Sequence, residues 1–250
     1  MVAIYKGILF LGIPGALGLA VIVLTVIIRL VLHPLTVTQL KSAQKMAKLK
    51  PEMDKLAAKY KNDKARLNQE QLNLYKNAGI NPAAGCLPTL LQFPIVIALY
   101  QVFFEVLSKG DTPQVVADIN KILYSSALKI NSFDLNFFGL NLAHKPDQWQ
   151  QFGWWLLLVP LITGLLQFWQ TKLMTPVQPK TEAKDIVVDK DGKEVKKEDD
   201  MGTAMQKQMM FMMPIMIGFF AYTFPLGLSL YWNTYTVFGI IQQYQINKKG

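Results

Sequence analysis

The stretch ALGLAVIVLTVIIRLVLHPL, Ala16 to Leu35, decides the fold of this chain. It has about the 20 residues that an α-helix needs to cross the hydrocarbon core of a bilayer. A central Arg costs about 2.5–3.5 kcal/mol on insertion scales, whereas each Leu, Ile or Val returns about 0.3–0.6 kcal/mol. The favourable insertion free energy of the apolar residues exceeds the cost of Arg29. We therefore expect this stretch to span a membrane.

Arg29 is the charged residue inside this span, and it has two interpretations. An ionisable residue within a span most often faces a bundle interior or a wet cavity and marks a functional site. Alternatively, the long side chain snorkels to the nearer membrane surface. Thr25 lies one helical turn earlier on the same face. A hydroxyl and a guanidinium on one face favour the wall of a polar groove, although the residues alone leave both interpretations open.

The composition predicts an integral helical membrane protein. The chain has 250 residues, of which 51% are hydrophobic and 17% charged, and its mean hydropathy is +0.22. A soluble domain has about a quarter of charged residues. The single cysteine, Cys86, excludes an internal disulfide framework. The N-terminus has no strong basic region or cleavage site, so neither a signal peptide nor a transit peptide is expected.

The apolar blocks predict five membrane-spanning helices and a basic amphipathic helical hairpin outside the membrane. We expect the hairpin to consist of two helices that turn near Asn62 and Asp63. The predicted segments are an interfacial N-terminal segment 1–15, a first span 16–35, the helical hairpin 36–82, a second span 83–107, an external loop 108–151, a third span 152–174, a flexible loop 175–204, fourth and fifth spans 205–246 that form a hairpin, and a tail 247–250.

The distribution of positive charge predicts the orientation in the membrane. The net charge is +9, and 20 of the 26 Lys and Arg residues fall in the hairpin 36–82, the region 172–207 and the tail. The positive-inside rule places these segments in the cytoplasm and the N-terminus outside. The basic balance therefore needs no nucleic acid as a direct partner.

The sequence contains no catalytic or metal-binding pattern. No cluster of His, Cys and acidic residues has metal-ligand spacing, and neither a phosphate-binding loop nor a nucleophile elbow occurs. We therefore expect no enzymatic activity, no cofactor and no metal.

Polar residues inside the predicted spans are the remaining candidates for a site. Gln92 and Asn233 need hydrogen-bond partners in a membrane, and interhelical hydrogen bonds are the simplest role for such residues. Arg29 has no acidic residue at a matching depth, which predicts a wet cavity beside it. Met209 and Met213 belong to a Met-rich span, which is typical either of ordinary packing or of an adaptable surface for apolar partners.

Three blocks of the chain resemble the YidC/Oxa/Alb membrane-insertase family. They are IIRLVLHPLTVTQLKSAQKM, KYKNDKARLNQEQLNLYKNAGINPAAGCLPTLLQFPIVIALYQVFF and FPLGLSLYWNTYTVFGIIQQY. The resemblance runs over nearly the whole chain, without the large periplasmic domain of Gram-negative relatives. It implies five helices around a hydrophilic groove, closed on the outer side, through which nascent membrane proteins enter the bilayer of a bacterial plasma membrane rather than a thylakoid.

The resemblance also implies site residues and partners. The groove Arg falls on Arg29 and its neighbouring Thr on Thr25. By resemblance, the substrate-contacting aromatic of the last span falls on Trp232, next to Tyr231, and contact positions of the second span fall on Phe93 and Val96. With the polar residues discussed above, the candidate groove residues are Arg29, Thr25, Gln92, Tyr231, Trp232 and Asn233. With the two methionines, the substrate-contact candidates are Phe93, Val96, Met209 and Met213. The implied partners are nascent membrane proteins and membrane lipids, with the ribosome and the Sec translocon as further candidates. The alternatives from the residues alone are a small-anion transporter or channel and an assembly factor without insertion activity.

Overall fold

A computed structural model describes residues 1–60, 63–80, 93–98, 100–101, 104, 113–174, 186–188, 194–196 and 201–249. The described chain is mostly helical, as the sequence predicted. The helices are α1 (Val2–Phe10), α2 (Ala16–Val31), α3 (His33–Lys48), α4 (Lys50–Lys59), α5 (Lys64–Asn77), α6 (Pro113–Ile122), α7 (Trp149–Phe152), α8 (Leu158–Met174), α9 (Met201–Thr223) and α10 (Leu226–Lys249). Residues 93–98, 100–101 and 104 are also helical.

Two short antiparallel hairpins accompany the helices. In the first, β1 (Asn136–Phe137) pairs with β2 (Leu140–Asn141). In the second, β3 (Ile186–Val188) pairs with β4 (Glu194–Lys196). The second hairpin lies within the segment for which the sequence predicted a flexible loop without strands.

Length and composition identify few membrane-crossing helices in the described part of the chain. The helical segment Trp154–Met174 is long and apolar enough, and only 11% of its apolar window is buried inside the protein. Taken together, α2 and α3 are also long and apolar enough to cross a membrane, but the chain bends by 62° at the break between them. Met210–Thr223 is a shorter apolar helix. Because a core helix of a soluble protein would be mostly buried, the exposure of Trp154–Met174 is typical of a helix that contacts lipid.

The bend between α2 and α3 separates the apolar helix α2 from the basic segment that was predicted to form a helical hairpin. Pro34 lies at the start of α3, where a missing backbone N–H costs nothing. The basic segment contains three helices instead of the predicted two, because the chain breaks at Leu49 just before Pro51. Asp63 caps α5 by accepting a hydrogen bond from the backbone N–H of Arg66.

The four long apolar helices pack side by side in the order α2, α10, α8 and α9. The predicted hairpin of the last two spans has its tight turn between α9 and α10. These two helices nevertheless make few contacts with each other. α9 packs mainly against α8, whereas α10 lies between α8 and α2.

Two glycines bring α8 and α9 into close contact. A Cβ at Gly218 would lie 3.4 Å from the carbonyl oxygen of Pro160 and 3.8 Å from the Cα of Gly164. A Cβ at Gly164 would lie 3.6 Å from the carbonyl oxygen of Pro214. Each glycine thus packs on the turn that begins with the other helix's proline, which is the small-residue contact that membrane helices favour.

An apolar cluster that includes Tyr5, Phe133 and Phe137 covers the N-terminal end of α2, and we call it the cap. Tyr5 of α1 is 1% exposed, its hydroxyl accepts a hydrogen bond from the Asp134 backbone N–H at 2.9 Å, and it packs with Phe133. Phe137 lies directly on Gly18, where a Cβ would collide with its ring. The cap and the basic helices α3 to α5 therefore lie at opposite ends of α2.

Candidate functional site

Arg29 lies buried between α2 and α10. Its side chain is 4% exposed, so it does not snorkel to a surface. Nη2 donates a hydrogen bond to the carbonyl oxygen of Tyr235 at 2.6 Å, and Nη1 donates to Oε1 of Gln242 at 3.3 Å. The guanidinium also lies over the Tyr235 ring, 3.4 Å from its centroid. Among the described residues, the groups that hold Arg29 belong to α10.

Arg29 retains unused hydrogen-bonding capacity in this position. Its Nε is buried and has no acceptor among the described residues. Among the described residues, no carboxylate forms an ion pair with Arg29. A buried cation that keeps a free donor is a ready site for an anionic group, since charge-assisted hydrogen bonds are the stronger class.

His33 extends this polar contact through Gln242. The amide Nε2 of Gln242 lies 2.7 Å from Nδ1 of His33, at the start of α3. Because Gln242 uses its amide oxygen for Arg29, its amide nitrogen faces His33 and requires Nδ1 to accept. This contact joins the start of α3 to the face of α10 that holds Arg29.

Gly239 provides the space in which the guanidinium lies. A Cβ at this position would lie 2.7 Å from Nη2 of Arg29 and still closer to Nε2 of Gln170 on α8. Tyr235, Gly239 and Gln242 follow one another at four- and three-residue spacing, so they share one face of α10. This face is the surface against which Arg29 docks.

Thr25 and Trp232, two of the predicted groove residues, make hydrogen bonds that do not involve Arg29. Thr25 is 1% exposed, on the same face of α2 as Arg29, and its hydroxyl donates to the carbonyl of Val21 at 2.7 Å. Trp232 donates from Nε1 to Oε1 of Gln167 on α8 at 3.2 Å. The Trp232 contact is an interhelical hydrogen bond of the kind that polar residues commonly form between membrane helices.

Tyr231 and Asn233 occupy different faces of α10. Tyr231 is 1% exposed and belongs to the apolar cluster of the cap. Asn233 lines a cavity of about 350 Å³ together with Val26 and Val237. Its Oδ1 is buried and accepts no hydrogen bond from the described residues. The predicted groove residues of α10 are therefore spread around the helix rather than gathered on one wall.

The structure describes part of the predicted substrate-contact set. Phe93 is exposed, and Val96 packs partly against the apolar cluster of the cap. Met213 is exposed on α9. Gln92 lies outside the described residues, as does Cys86, and Met209 is described only as a helical residue of α9.

Tyr235, Gly239 and Gln242 are the contacts of Arg29 that the sequence did not predict. Their signal was present in their four- and three-residue spacing, which places all three residues on one helix face. A glycine in the middle of a helix also costs about 0.5–1 kcal/mol relative to alanine, which is a sign that close packing requires it. The pattern does not show which neighbouring helix this face contacts.

Comparisons with known proteins give one consistent result. Residues 9–250 match the 60Kd inner membrane protein family. The chain is 34% identical to the membrane protein insertase YidC of Fusobacterium nucleatum, over 94% of this chain and 88% of that protein. It is 33% identical to the protein of the same name from Rickettsia massiliae, over 96% of this chain but 37% of that longer protein. A crystal structure of an active YidC insertase matches with a TM-score of 0.50 and 26% identity, over 91% of this chain and 41% of that one.

Proposed function

Because this chain belongs to the 60Kd inner membrane protein family, we propose that it inserts membrane proteins into a bacterial inner membrane. The observation that carries this proposal is the match to an insertase of nearly the same length. The substrates are nascent chains, and the ribosome and the Sec translocon are candidate partners. The proposed mechanism requires neither a nucleotide nor a metal.

We propose that five spans form the insertion site and that Arg29 is its anion-binding group. The cap closes the outer side of this site. Two observations support this role of Arg29. Its Nε is unpaired among the described residues, and the hydrogen bond from its Nη1 to Gln242 is long, at 3.3 Å. An acidic group of the substrate replaces Gln242 as the partner of Arg29 and satisfies the free donor.

The apolar part of the substrate leaves through the side of the protein. Phe93 and Met213 are exposed apolar residues that contact the substrate helix on its way into lipid. Burial of apolar surface at about 25 cal/mol per Å² drives this step. The polar outer segment passes Arg29, so less of it crosses bare hydrocarbon.

Reconstitution tests this function directly. The purified full chain is placed in liposomes, a short single-span substrate with an acidic outer segment is synthesised in their presence, and insertion is measured by protease protection of the outer segment. We expect protection that depends on the chain, and equal protection in empty liposomes contradicts the proposal. Saturable anion flux through the same liposomes, without substrate insertion, would instead favour a small-anion transporter.

A further inference from the structure

A cavity of about 770 Å³ lies between α3, α8 and α10. We call it the α3–α8–α10 cleft. It is lined on the polar side by Gln44, Gln243 and Asn247 and on the apolar side by Leu165 and Phe168. Arg29 does not line it, so the cleft is separate from the proposed insertion site.

An amide cluster forms the polar wall of the α3–α8–α10 cleft. Gln44 and Gln243 both donate from Nε2 to Oδ1 of Asn247, each at 2.9 Å. Gln243 is 4% exposed, and its Oε1 is buried without a donor among the described residues. Leaving a buried acceptor unpaired costs about 1–3 kcal/mol. The cleft therefore offers a fixed acceptor to a ligand that carries a hydroxyl or amine donor.

Lys172 gives the cleft a positive charge. It is the one charged residue among those described as lining the cleft. It follows the apolar part of α8 and lies next to Trp169, an arrangement typical of the level of the lipid headgroups. A lysine at this level buries its aliphatic stem and presents its ammonium group to an anion.

The rim of the cleft consists of exposed apolar and aromatic side chains. Leu165 is 59% exposed, and Trp169 and Tyr244 are each 50% exposed. In a membrane these side chains meet the acyl chains and the interface, so the cleft opens sideways to the lipid. A ligand with an acyl chain reaches Phe168 from this side without crossing the protein.

We propose that the α3–α8–α10 cleft binds a phospholipid with an anionic phosphate and a hydroxyl-bearing headgroup, of the phosphatidylglycerol type. The phosphate binds Lys172, a headgroup hydroxyl donates to Oε1 of Gln243, and one acyl chain lies along Leu165 and Phe168. Charge complementarity selects the phosphate, and the unpaired acceptor selects the hydroxyl. Arg29 is not among the residues that line the cleft, so lipid binding can be measured independently of insertion activity.

Native mass spectrometry of the full chain in detergent tests this proposal with three lipids. The lipids are phosphatidylglycerol, phosphatidylmethanol, which has the same charge without a headgroup hydroxyl, and zwitterionic phosphatidylcholine. The variants are Lys172→Gln and Gln243→Leu, with Lys45→Gln as the matched control because Lys45 is an exposed lysine of α3. Ala43→Trp fills the cleft without removing a polar group.

Each variant has a distinct expected result. Lys172→Gln weakens the binding of both anionic lipids about fivefold to tenfold, because a charge-assisted contact is lost. Gln243→Leu weakens the binding of phosphatidylglycerol by a similar factor and leaves the binding of phosphatidylmethanol unchanged. Ala43→Trp weakens the binding of both anionic lipids, whereas Lys45→Gln changes the binding of neither. Equal binding of phosphatidylglycerol by the wild type, Lys172→Gln and Ala43→Trp overturns the proposal, as does equal affinity for phosphatidylcholine. Retained circular dichroism and a monodisperse elution profile establish that each variant is folded.

Discussion

The guanidinium carbon of Arg29 lies 3.4 Å from the centroid of the Tyr235 ring, and Nη2 of Arg29 donates to the carbonyl oxygen of the same residue at 2.6 Å. One residue of α10 thus supplies both a π-face and a backbone acceptor to the buried cation. Cation–π contacts contribute about 2 kcal/mol when desolvated, and the backbone contact adds a charge-assisted hydrogen bond. These two contacts keep Arg29 charged and inside the bundle without a carboxylate partner among the described residues.

The first prediction concerns Arg29 itself. Arg29→Ala removes the proposed anion-binding group, so insertion of a substrate with an acidic outer segment should fall about fivefold to thirtyfold, the equivalent of about 1–2 kcal/mol. Insertion of a substrate with a neutral outer segment should change much less. Protease protection in liposomes measures both. The same insertion rate for the acidic substrate in wild type and variant would refute the role of Arg29.

The second prediction separates Gln242 from Arg29. If Gln242 competes with the substrate for the guanidinium, Gln242→Leu frees Arg29 and should raise insertion of the acidic substrate by about twofold to fivefold, because a hydrogen bond of about 0.5–1 kcal/mol no longer opposes it. The neutral substrate serves as the control. A loss as large as that of Arg29→Ala would mean that Gln242 positions Arg29 instead of competing for it.

The third prediction tests the space above Gly239. A Cβ there would lie 2.7 Å from Nη2 of Arg29, so Gly239→Ala should displace the guanidinium or separate α2 from α10. Overpacking of this kind costs about 1–3 kcal/mol, and the thermal unfolding temperature in detergent should fall by several degrees. Gly7→Ala is the matched control, since a Cβ at Gly7 meets no atom within 4 Å.

The fourth prediction concerns the contact between α8 and α9. A Cβ at Gly218 meets Pro160 at 3.4 Å, close to ordinary van der Waals distance. Gly218→Ala should therefore be tolerated, whereas Gly218→Leu should force the helices apart and cost about 1–3 kcal/mol. Thermal unfolding of both variants, with Gly7→Leu as the control for an exposed helical glycine, distinguishes the two cases. Equal unfolding temperatures for the alanine and leucine variants would contradict this packing.

The fifth prediction is a pH dependence of stability that comes from His144. His144 stacks on Phe152, with ring centroids 3.6 Å apart, and burial lowers the pKa of His144 below its ordinary value of 6.5. The unfolded chain therefore binds a proton more readily than the folded one. This contribution to stability is fully present above a pH of about 6.5 and is lost as the pH falls through the lowered pKa of the folded state.

His144→Gln isolates this effect from the titration of carboxylates. The difference in unfolding temperature between pH 7.5 and pH 5 should be smaller in the variant than in the wild type. The measurement uses thermal unfolding in detergent with a fluorescent or circular dichroism signal. An identical pH dependence in both proteins would exclude a contribution from His144.

Much of the helical architecture could be predicted from the sequence. Apolar length and helical periodicity identified α2, α8 and the helices on both sides of Phe224 and Pro225, because these signals are local. The extra break at Leu49 and the hairpin of β3 and β4 were not predicted. Both depend on weak local preferences in polar segments, where no buried face reinforces a pattern.

The partners of Arg29 could not be predicted. The sequence placed Arg29 and Thr25 on one face of α2 and suggested a hydrated surrounding. In the structure the same face meets Tyr235, Gly239 and Gln242 of α10, more than 200 residues along the chain. Spacing within a helix gives the direction of a side chain, but it does not say which other helix lies opposite.

By itself, the sequence determined that this chain forms long apolar helices, that one of them carries Arg29, and that the positive charge is concentrated in a few segments between them. The reason is that hydrophobic length, helical period and charge are properties of adjacent residues. Only the tertiary structure decided that Arg29 docks on Tyr235 and that Gln243 and Lys172 share a cleft. Contacts between helices that are distant in sequence depend on how their surfaces fit. Gly239, for example, has no side chain, and this leaves the space in which the guanidinium of Arg29 lies.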